Sequence, residues 1–365
     1  MKIVLSANDT TYVYNLRNEI MQALISKGHQ VVVMCKKEDH VEELEAEGIK
    51  IVDISVGRRG KNPLNDLKLL FCHSKIIKAE KPDLVLTFNI KPNVYTGFAC
   101  HRYKVPFFAN ITGLAAVGYT SKLIRNVILT LYRASLKRAH CIFFQNSYDM
   151  QFFEENNIKG KKAVLLPGSG VNVSKYIPME YPTDKEFCFI GRMLKEKGIE
   201  EYVTAAKAVL KDHPDAVFHI VGGCDGNYEG YLAEATQTPG IVYHGYSNRV
   251  GDFIARCCCT VHPTYYPEGM SNVLLESGAV ARPIITTDRI GCREIVDDGV
   301  NGFVVKQKDA DDLTEKILKF LSLPWDVRKD MGLAGRAKVE REFDRRIVVD
   351  KYMTEINEVF DGKEG

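Results

Sequence analysis

A short segment from Glu268 to Glu276 places two carboxylates around a predicted helix start, directly after a predicted strand. Gly269 lets the backbone approach a ligand closely, and Ser271 is a residue type suited to the N-cap. The free N–H groups of a first helical turn, together with the helix dipole, favour an anion such as a diphosphate. Glu268 could then accept hydrogen bonds from sugar hydroxyls, and Glu276 from ribose hydroxyls. The alternative is that both glutamates only complement the helix dipole or face solvent.

A second segment, Gly191 to Gly198, follows the predicted strand Phe187 to Ile190 and carries two cations. This order puts Arg192 and Lys197 on a loop at the carboxyl edge of a sheet. Arginine offers a planar fork for phosphate oxygens and lysine a point charge, each worth about 1.5 to 3 kcal/mol in charge-assisted hydrogen bonds. A solvated basic loop is the alternative. Taken together with the downstream helix, the two segments favour a site for a phosphate-containing ligand.

These motifs are followed by two others, Gly291 to Glu294 and Asp298 to Gly302. The order Gly-Arg-x4-Lys-Gly, then Glu-Gly-x6-Glu, then these two, resembles glycosyltransferase family 4 over nearly the whole C-terminal half. That family has the GT-B architecture, an α/β fold of two facing Rossmann-like domains with a cleft between them. The resemblance implies a retaining, metal-independent hexosyl- or N-acetylhexosaminyl-transferase that needs no cofactor. Its donor would be a nucleotide-diphosphate sugar, and we expect a UDP-sugar.

The resemblance also implies roles for individual residues. Arg192, Lys197 and Glu268 would carry the catalytic step, the two cations by holding the donor diphosphate and Glu268 by holding the sugar hydroxyls. Glu276 would bind the ribose. The other implied donor-binding residues are backbone and loop positions that border the phosphates, the sugar or the base: Gly191, Gly269, Met270, Ser271, Asn272 and Tyr246.

The first predicted strand ends in a loop, Ser6 to Tyr12, that lacks the glycine pair often found there in the family. Asn8, Thr10 and Thr11 could replace the glycine backbone contact with hydroxyls or amides. The alternative is that Asn8 and Asp9 only cap the next helix.

Many family members also carry a histidine after the strand read here as 106–110, where this chain has Asn110, Thr112 and Gly113. The missing imidazole is compatible with a front-face mechanism, in which the departing phosphate takes the acceptor's proton. A double displacement through a protein nucleophile is the alternative.

In the first half, the residues at four polar or glycine positions resemble those of a bacterial subgroup of the family. That subgroup acts on polyprenyl-diphosphate-linked sugars in surface polysaccharide or glycan assembly. These acceptor-side residues are Lys91, Asn93, Thr112 and Gly113. The expected acceptor is therefore a saccharide, carried on a lipid diphosphate.

Charge is divided unevenly along the chain. Residues 1–170 hold 24 Lys and Arg against 15 Asp and Glu, whereas the rest holds 25 against 32. The segment Lys122 to Arg138 interleaves basic and apolar residues as an interfacial helix does, and Arg58, Arg59 and Lys61 lie in a glycine-flanked loop. We expect an anionic membrane surface as a partner, and no nucleic acid. The alternative is that the helix packs on its own sheet and that the charges are simply solvated.

The elements that must position these residues alternate between strand and helix, which is typical of parallel sheets covered by helices. Predicted strands lie at 2–6, 31–35, 51–56, 84–88, 106–110, 141–145, 187–190, 216–221, 241–244, 258–262 and 283–286. Predicted helices lie at 12–27, 41–47, 65–79, 200–211 and 271–281, between strands 106–110 and 141–145, from 309 onward, and at 345–360. With 365 residues the chain exceeds one ordinary core, so we expect two domains, 1–168 completed by helix 345–365, and 169–344.

Composition indicates a globular enzyme, since 45% of the residues are apolar and 26% are charged. The ten cysteines form no C-x-x-C pair and are expected to be reduced and buried. The first residues read as a strand, not as a signal peptide or anchor, so we expect a cytoplasmic protein that can lie peripherally on the inner face of the membrane.

Three other functions compete with transfer. A nucleotide-sugar 2-epimerase of the same fold would need acid and base groups around C2, and the first half offers no clear set of carboxylates. A binding protein could keep the donor pocket without turnover. A dinucleotide dehydrogenase is disfavoured, because the first loop lacks Gly-x-Gly-x-x-Gly.

Overall fold

Alternating strands and helices build two parallel sheets, each covered by helices. The computed structural model describes residues 1–54, 63–114, 117, 120–224 and 226–361. Contacts divide the chain into an N-terminal unit, Met1–Ser169 with Arg346–Gly365, and a C-terminal unit, Gly170–Arg345. The predicted α/β class is confirmed. The basic loop with Arg58, Arg59 and Lys61 lies outside the described residues.

The N-terminal unit contains a seven-stranded parallel sheet in its described part, in the order β3-β2-β1-β4-β5-β6-β7. Its strands are β1 (Lys2–Asp9), β2 (Gln30–Lys36), β3 (Lys50–Asp53), β4 (Leu84–Phe88), β5 (Phe107–Ile111), β6 (Cys141–Phe144) and β7 (Ala163–Leu165). Its helices are α1 (Thr10–Ser26), α2 (Val41–Ala46), α3 (Pro63–Glu80), α4 (Ile90–Tyr103), α5 (Lys122–Leu136), α6 (Ser147–Glu155) and, from the end of the chain, α13 (Arg345–Asp361).

Helices cover both faces of this sheet, which is why its central strands are apolar almost throughout. One core cluster joins the sheet to α1, α2 and α13, and a second joins the opposite face to α3, α4, α5 and α6. In the last helix Val348, Tyr352, Ile356 and Val359 are buried at helical spacing. Tyr352 also donates its hydroxyl hydrogen to Asn110 Oδ1 at the end of β5. The final helix therefore completes the N-terminal unit.

The C-terminal unit contains a six-stranded parallel sheet in its described part, in the order β10-β9-β8-β11-β12-β13. Its strands are β8 (Glu186–Ile190), β9 (Val217–Val221), β10 (Ile241–Tyr243), β11 (Cys259–His262), β12 (Ile284–Thr287) and β13 (Gly302–Val305). Its helices are α7 (Ile199–Asp212), α8 (Glu229–Ala235), α9 (Val250–Arg256), α10 (Asn272–Ala279), α11 (Ala310–Ser322) and α12 (Trp325–Glu342). The two central strands, β8 and β11, lie side by side, so the loops that follow them share one edge.

All eleven predicted strands are present within a few residues of their expected bounds, but six elements were not predicted: β7, β13, α4, α6, α8 and α9. Lys91 and Asn93 lie in the first turn of α4, together with Pro92. Proline is tolerated in a first helical turn, where its missing N–H would have no intrahelical partner. Strand β13 was also missed, because it is short and preceded by turn residues. Within the described part of the chain, no helix is both long and apolar enough to cross a bilayer.

Candidate functional site

The loops after β8 and β11 are held against each other by backbone contacts. The N–H of Tyr265 donates to the carbonyl of Glu196 at 2.9 Å, and the Thr264 hydroxyl donates to the same carbonyl at 3.2 Å. Gly198 has a φ of +80°, and a Cβ there would lie 2.2 Å from the carbonyl oxygen of Pro263. Only glycine fits this close approach. The glycine that ends the Gly-Arg-x4-Lys-Gly motif therefore lets the two loops meet.

Lys197 and Glu268, 71 positions apart in the sequence, form a direct ion pair where these loops meet. Their side chains are 12% and 14% exposed, so the pair is largely withdrawn from water. Burial alone would raise the pKa of Glu268, but the Lys197 ammonium and His262 outweigh it and lower that pKa to about 2. Glu268 is thus a carboxylate at any physiological pH, and its oxygens can only accept hydrogen bonds.

His262, the last residue of β11, lies beside this pair and was missed by the sequence reading. Its side chain is 1% exposed, and Nε2 lies 3.7 Å from Glu268 Oε1. Burial lowers the pKa of His262, which keeps the imidazole neutral near pH 7. The sequence did contain a signal for this residue, because His262 ends the predicted strand 258–262 directly before the loop that carries Glu268.

The ring of Tyr266 lies close to both predicted phosphate-binding cations, Arg192 and Lys197. The Arg192 guanidinium carbon lies 5.8 Å from the centre of the Tyr266 ring, and Lys197 Nζ lies 5.0 Å from it. Arg192 is exposed, whereas Lys197 is mostly buried. Of the predicted catalytic residues, Arg192 and Lys197 therefore lie at one aromatic ring, and Glu268 contacts Lys197.

The start of α10 is shaped by the Gly291 to Glu294 motif. Ser271 occupies the N-cap, but its side chain accepts no capping hydrogen bond. Its N–H donates instead to the carbonyl of Gly291 at 2.8 Å, while the N–H of Gly291 donates to Glu294 Oε2 at 2.7 Å. A Cβ on Gly291 would lie 2.9 Å from the carbonyl oxygen of Gly269. The Ser271 amide is thus committed to the loop, which leaves Asn272 and the following amides to serve a ligand.

Glu276 lies on α10 against Tyr176, apart from the Lys197–Glu268 pair. Burial raises the pKa of Glu276 to about 7, although the Tyr176 hydroxyl and the charges of Arg345 and Lys175 act against the shift. Met270 is 8% exposed and packs in the apolar cluster beneath α10. Asn272, the first residue of α10, keeps a buried Oδ1 without a hydrogen-bond partner among the described residues.

Gly191 and Tyr246 lie on loops that backbone hydrogen bonds link across the sheet edge. The N–H of Gly191 donates to Val221 at 3.0 Å, and the N–H of Gly222 donates to Gly245 at 2.8 Å. Tyr246, directly after Gly245, is 72% exposed. The loops after β8, β9 and β10 thus form a continuous rim on which Tyr246 can meet a ligand.

In the N-terminal unit, the loop after β1 is partly a capping structure. Asp9 Oδ1 accepts the N–H of Tyr12 at 2.7 Å and caps α1, while Thr10 Oγ1 accepts the N–H of Glu38 at 2.8 Å. The carbonyl of Thr11 accepts from the side chain of Asn15. Asn8 lines a small cavity, which it shares with Lys91. The capping alternative therefore holds for Asp9, whereas Asn8 borders this cavity.

The other acceptor-side residues divide into accessible and buried. Lys91 is 28% exposed and pairs with Asp66 at 3.0 Å. Asn93 is fully buried, accepting from the Thr87 hydroxyl at 2.6 Å and donating to the Asn110 carbonyl at 2.8 Å. Thr112 accepts from the Asn89 side chain at 3.4 Å, and Gly113, with a φ of +123°, follows it. Asn93 thus braces β4 against β5 and presents no surface to an acceptor.

A second polar cluster lies at the amino edge of the C-terminal sheet, away from the loops described above. Glu186, His219 and Cys257 are close enough to share a metal ion. Glu186 is already held by Arg256 at 2.5 Å and by His219 Nε2 at 3.0 Å. The hydrogen bond with Cys188 and burial raise the pKa of Cys257 well above its usual range. Its thiol is therefore protonated, and Glu186 is neutralised by Arg256, whose side chain is 62% exposed.

Residues 2–146 match the family described as Glycosyl transferase 4-like, and residues 176–338 match Glycosyl transferases group 1. The chain belongs to glycosyltransferase family 4. Its two sheets are those of the GT-B fold. The resemblance expected from the motifs is confirmed over both units.

Relatives of this glycosyltransferase include two bacterial enzymes. It is 28% identical, over 97% of both chains, to the N,N'-diacetylbacillosaminyl-diphospho-undecaprenol alpha-1,3-N-acetylgalactosaminyltransferase of Campylobacter jejuni. It is 22% identical to the UDP-Gal:alpha-D-GlcNAc-diphosphoundecaprenol alpha-1,3-galactosyltransferase of Escherichia coli, over 82% of this chain and 81% of that one. Among solved structures, HepE of Anabaena in complex with UDP and glucose shares the fold, with a TM-score of 0.81 and 16% identity over 98% of this chain and 99% of that chain.

Proposed function

We propose that this glycosyltransferase moves a hexose or an N-acetylhexosamine from a UDP-sugar to a sugar carried on a polyprenyl diphosphate, with retention of configuration. The product would be an intermediate of polysaccharide or glycan biosynthesis. The observation that carries the proposal is that Lys197 and Arg192 lie at the Tyr266 ring and that Lys197 pairs with Glu268, where the loops of the two donor motifs meet.

The two cations suit a leaving diphosphate. Negative charge grows on the diphosphate as the sugar bond breaks, and fixed cations in a site that is mostly shielded from water stabilise that charge. Lys197 supplies a shielded point charge, and the exposed Arg192 supplies a mobile fork that can close over the phosphates. The pair would do without metal or cofactor what a bound divalent cation does elsewhere. The one Asp-x-Asp pattern of the sequence, Asp309 to Asp311, begins with the residue that caps α11.

Glu268 and Glu276 would read the two hydroxyl-bearing parts of the donor. A carboxylate with a pKa of about 2 accepts hydrogen bonds from sugar hydroxyls and does not give up a proton to the reaction. Glu276 would accept from the ribose. Asn272 and the following amides of α10 would face the phosphates at the positive end of the helix.

The end of β5 is compatible with a front-face mechanism, the simplest route to retention. Where many relatives of the family carry a histidine, Asn110 is 3% exposed, donates to the Thr87 carbonyl at 3.0 Å and accepts from Tyr352. Asn110 is thus fully occupied within the sheet and has no basic group to offer. In the proposed reaction the departing phosphate oxygen takes the acceptor proton while the acceptor oxygen attacks from the same face.

The acceptor proposal rests on the relatives, since both bacterial enzymes are named for sugars on diphospho-undecaprenol. The surface of α5 suits an enzyme that meets such a lipid. Leu129, Tyr132 and Leu136 pack into the core, while Leu123 and Val127 are 75% and 51% exposed. Packing of α5 on its own sheet, the alternative to membrane contact, therefore explains the buried side of this helix. It leaves the apolar pair Leu123 and Val127 exposed.

Basic and apolar groups continue around that pair. Lys122 and Arg125 are exposed beside it, and α4 packs against both α5 and α3. On α3 a second pair one turn apart, Leu67 and Phe71, is 49% and 65% exposed. Both pairs lie in the first half of a helix that follows a parallel strand, hence towards the carboxyl edge of the sheet. We infer that α3 and α5 rest on an anionic bilayer.

Substitution of the cations tests the donor assignment. Lys197→Ala and Arg192→Ala should each lower kcat/KM by more than tenfold, because each removes a charge-assisted contact worth about 1.5 to 3 kcal/mol. Lys195→Ala is the matched control, since Lys195 is 64% exposed on the same turn and pairs with Glu200. Rates are measured with a panel of UDP-sugars and a polyprenyl-diphosphate-linked sugar.

Two results would count against transfer at this site. Near wild-type rates in both variants would remove the diphosphate assignment. Formation of an epimer from the donor alone, with no transfer to any acceptor in the panel, would favour the 2-epimerase instead.

A further inference from the structure

The pairing of Lys197 with Glu268 creates a problem for the proposed donor site. Each residue has a task on the donor, yet in the structure each neutralises the other. A diphosphate carries more charge than one carboxylate, so its arrival draws the Lys197 ammonium towards the phosphates. Glu268 is then left 14% exposed with weaker compensation. A buried carboxylate that loses its partner is strongly destabilised unless another donor replaces it.

His262 is the group placed to replace it. Its Nε2 lies 3.7 Å from Glu268 Oε1, slightly beyond hydrogen-bond length. Neither of its ring nitrogens has a hydrogen-bond partner among the described residues, although the side chain is 1% exposed. Buried polar groups without a partner are uncommon in proteins and call for an explanation. A small shift of Glu268 towards β11 closes the gap.

The surroundings of His262 hold it in this position. The Phe189 ring packs at 6.1 Å between ring centres, and Gly191 lies above, with His262 Cε1 3.8 Å from the site of a Gly191 Cβ. These contacts limit the movement of the imidazole, and the Glu268 carboxylate lies within 3.7 Å of its Nε2.

Resting on the donor function proposed above, we propose that His262 is a positioning residue that takes over the Glu268 carboxylate when the donor diphosphate draws Lys197 away. Its Nε2–H then donates to Glu268 Oε1 and fixes the carboxylate for the sugar hydroxyls. Recognition of the sugar by Glu268 therefore depends on contact between Lys197 and the donor phosphates.

Proton uptake should accompany the exchange. The charged groups facing His262 are Lys197 and Glu268, and Cys292, near the same pair, is a neutral thiol because burial raises its pKa. Without donor, burial and Lys197 both lower the pKa of His262, which opposes protonation. Once Lys197 turns to the phosphates, Glu268 dominates and favours the imidazolium.

Calorimetric titration of the full chain with UDP-glucose and UDP-N-acetylgalactosamine tests this inference. These diphosphate diesters do not themselves titrate near pH 7, so a binding enthalpy that depends on the buffer's ionisation enthalpy reports protons taken up by the protein. At pH 7 wild type should take up more protons than the His262 variants, since any proton that Glu276 releases on binding the ribose is released by all of them. His262→Met should lose the uptake and about tenfold or more in donor affinity. His262→Gln, which keeps an N–H donor near the position of Nε2, should recover most of the affinity without the uptake.

The control is His219→Gln, which alters a buried histidine of the same sheet whose two nitrogens bond to Glu186 and His244. It should keep the proton uptake even where it lowers stability. If His262→Met does not fold, the loss of proton uptake in His262→Gln is sufficient to test the inference. Donor binding with equal proton uptake in wild type and His262→Gln overturns the inference and leaves the proposed function standing. If wild type binds neither UDP-sugar, the UDP-sugar proposal fails and this inference fails with it.

Discussion

Glu268 and Glu276 belong to one sequence motif but titrate in opposite directions. Both are pushed towards a higher pKa by burial, and the Lys197 ammonium in contact with Glu268 lowers the pKa of Glu268 to about 2. Glu276, with Tyr176 as its neighbour, has a pKa of about 7. The motif therefore provides one permanent carboxylate for the sugar and one that ionises near neutral pH for the ribose. The difference comes from two different environments, one in the loop before α10 and one on α10 itself.

The raised pKa of Glu276 predicts a stability that depends on pH. The folded chain holds this proton up to about pH 7, whereas the unfolded chain releases it near 4.5. More protons are bound by the folded state in that window, so the free energy of unfolding falls as pH rises from 4.5 to 7. Wild type should lose about 2 to 3 kcal/mol across it relative to Glu276→Gln, which cannot ionise. Urea unfolding at a series of pH values measures both, and parallel profiles would contradict the shift.

Loops that follow neighbouring strands, more than the strands themselves, build the donor site. Gly198 lets the β8 loop meet the β11 loop, and Gly291 lets the start of α10 rest on its supporting turn. Gly222, with a φ of +146°, lies directly under the β8 loop, where a Cβ would be 1.8 Å from the carbonyl oxygen of Gly191. These positions require glycine because backbone approaches backbone there.

Adjacent glycines after β9 allow a matched test of that requirement. Gly222→Ala should destabilise the fold by about 3 kcal/mol or more and lower donor affinity, because the new methyl group must displace the Gly191 peptide. Gly223→Ala has no heavy atom within 4 Å of the new methyl and should stay within about 0.5 kcal/mol of wild type. Thermal unfolding with and without UDP-sugar measures both. Equal melting temperatures for the two variants would show that the loop yields more easily than its packing indicates.

Charge distinguishes the two halves of the chain. The first 170 residues carry the excess of Lys and Arg, and the same unit has the exposed pairs Leu67 with Phe71 and Leu123 with Val127. The rest of the chain has an excess of Asp and Glu. An anionic bilayer attracts the first half and repels the second, which would orient the enzyme on a lipid-linked acceptor.

Vesicle binding tests this surface. Wild type should sediment with phosphatidylglycerol vesicles more than with phosphatidylcholine vesicles, and less so at high salt. The double change Leu123→Glu and Val127→Glu should reduce binding by at least tenfold, since each apolar side chain contributes about 1.5 kcal/mol or more when it enters the membrane interface. Leu333→Glu, at a 47% exposed site in the other unit, is the control and should bind as wild type does. Equal binding of all three proteins would remove α5 from the membrane surface.

The sequence by itself determined the α/β class, the family and the neighbourhood of the donor residues. Strand periodicity and buried apolar runs are local properties, and the residues of a motif that follows a strand must lie at its carboxyl end. Arg192, Lys197 and Glu268 could therefore be assigned to one sheet edge before any coordinates were known.

Tertiary structure alone decided how those residues are paired and which of the others can reach a ligand. Strand order brings β8 beside β11, and this adjacency joins Lys197 to Glu268 and places His262 beneath them. Likewise Asn93 reads as an accessible polar residue in the sequence, yet α4 turns it into the sheet, where it bridges Thr87 and Asn110. Burial and partner choice depend on residues far apart in the chain, so no local pattern contains them.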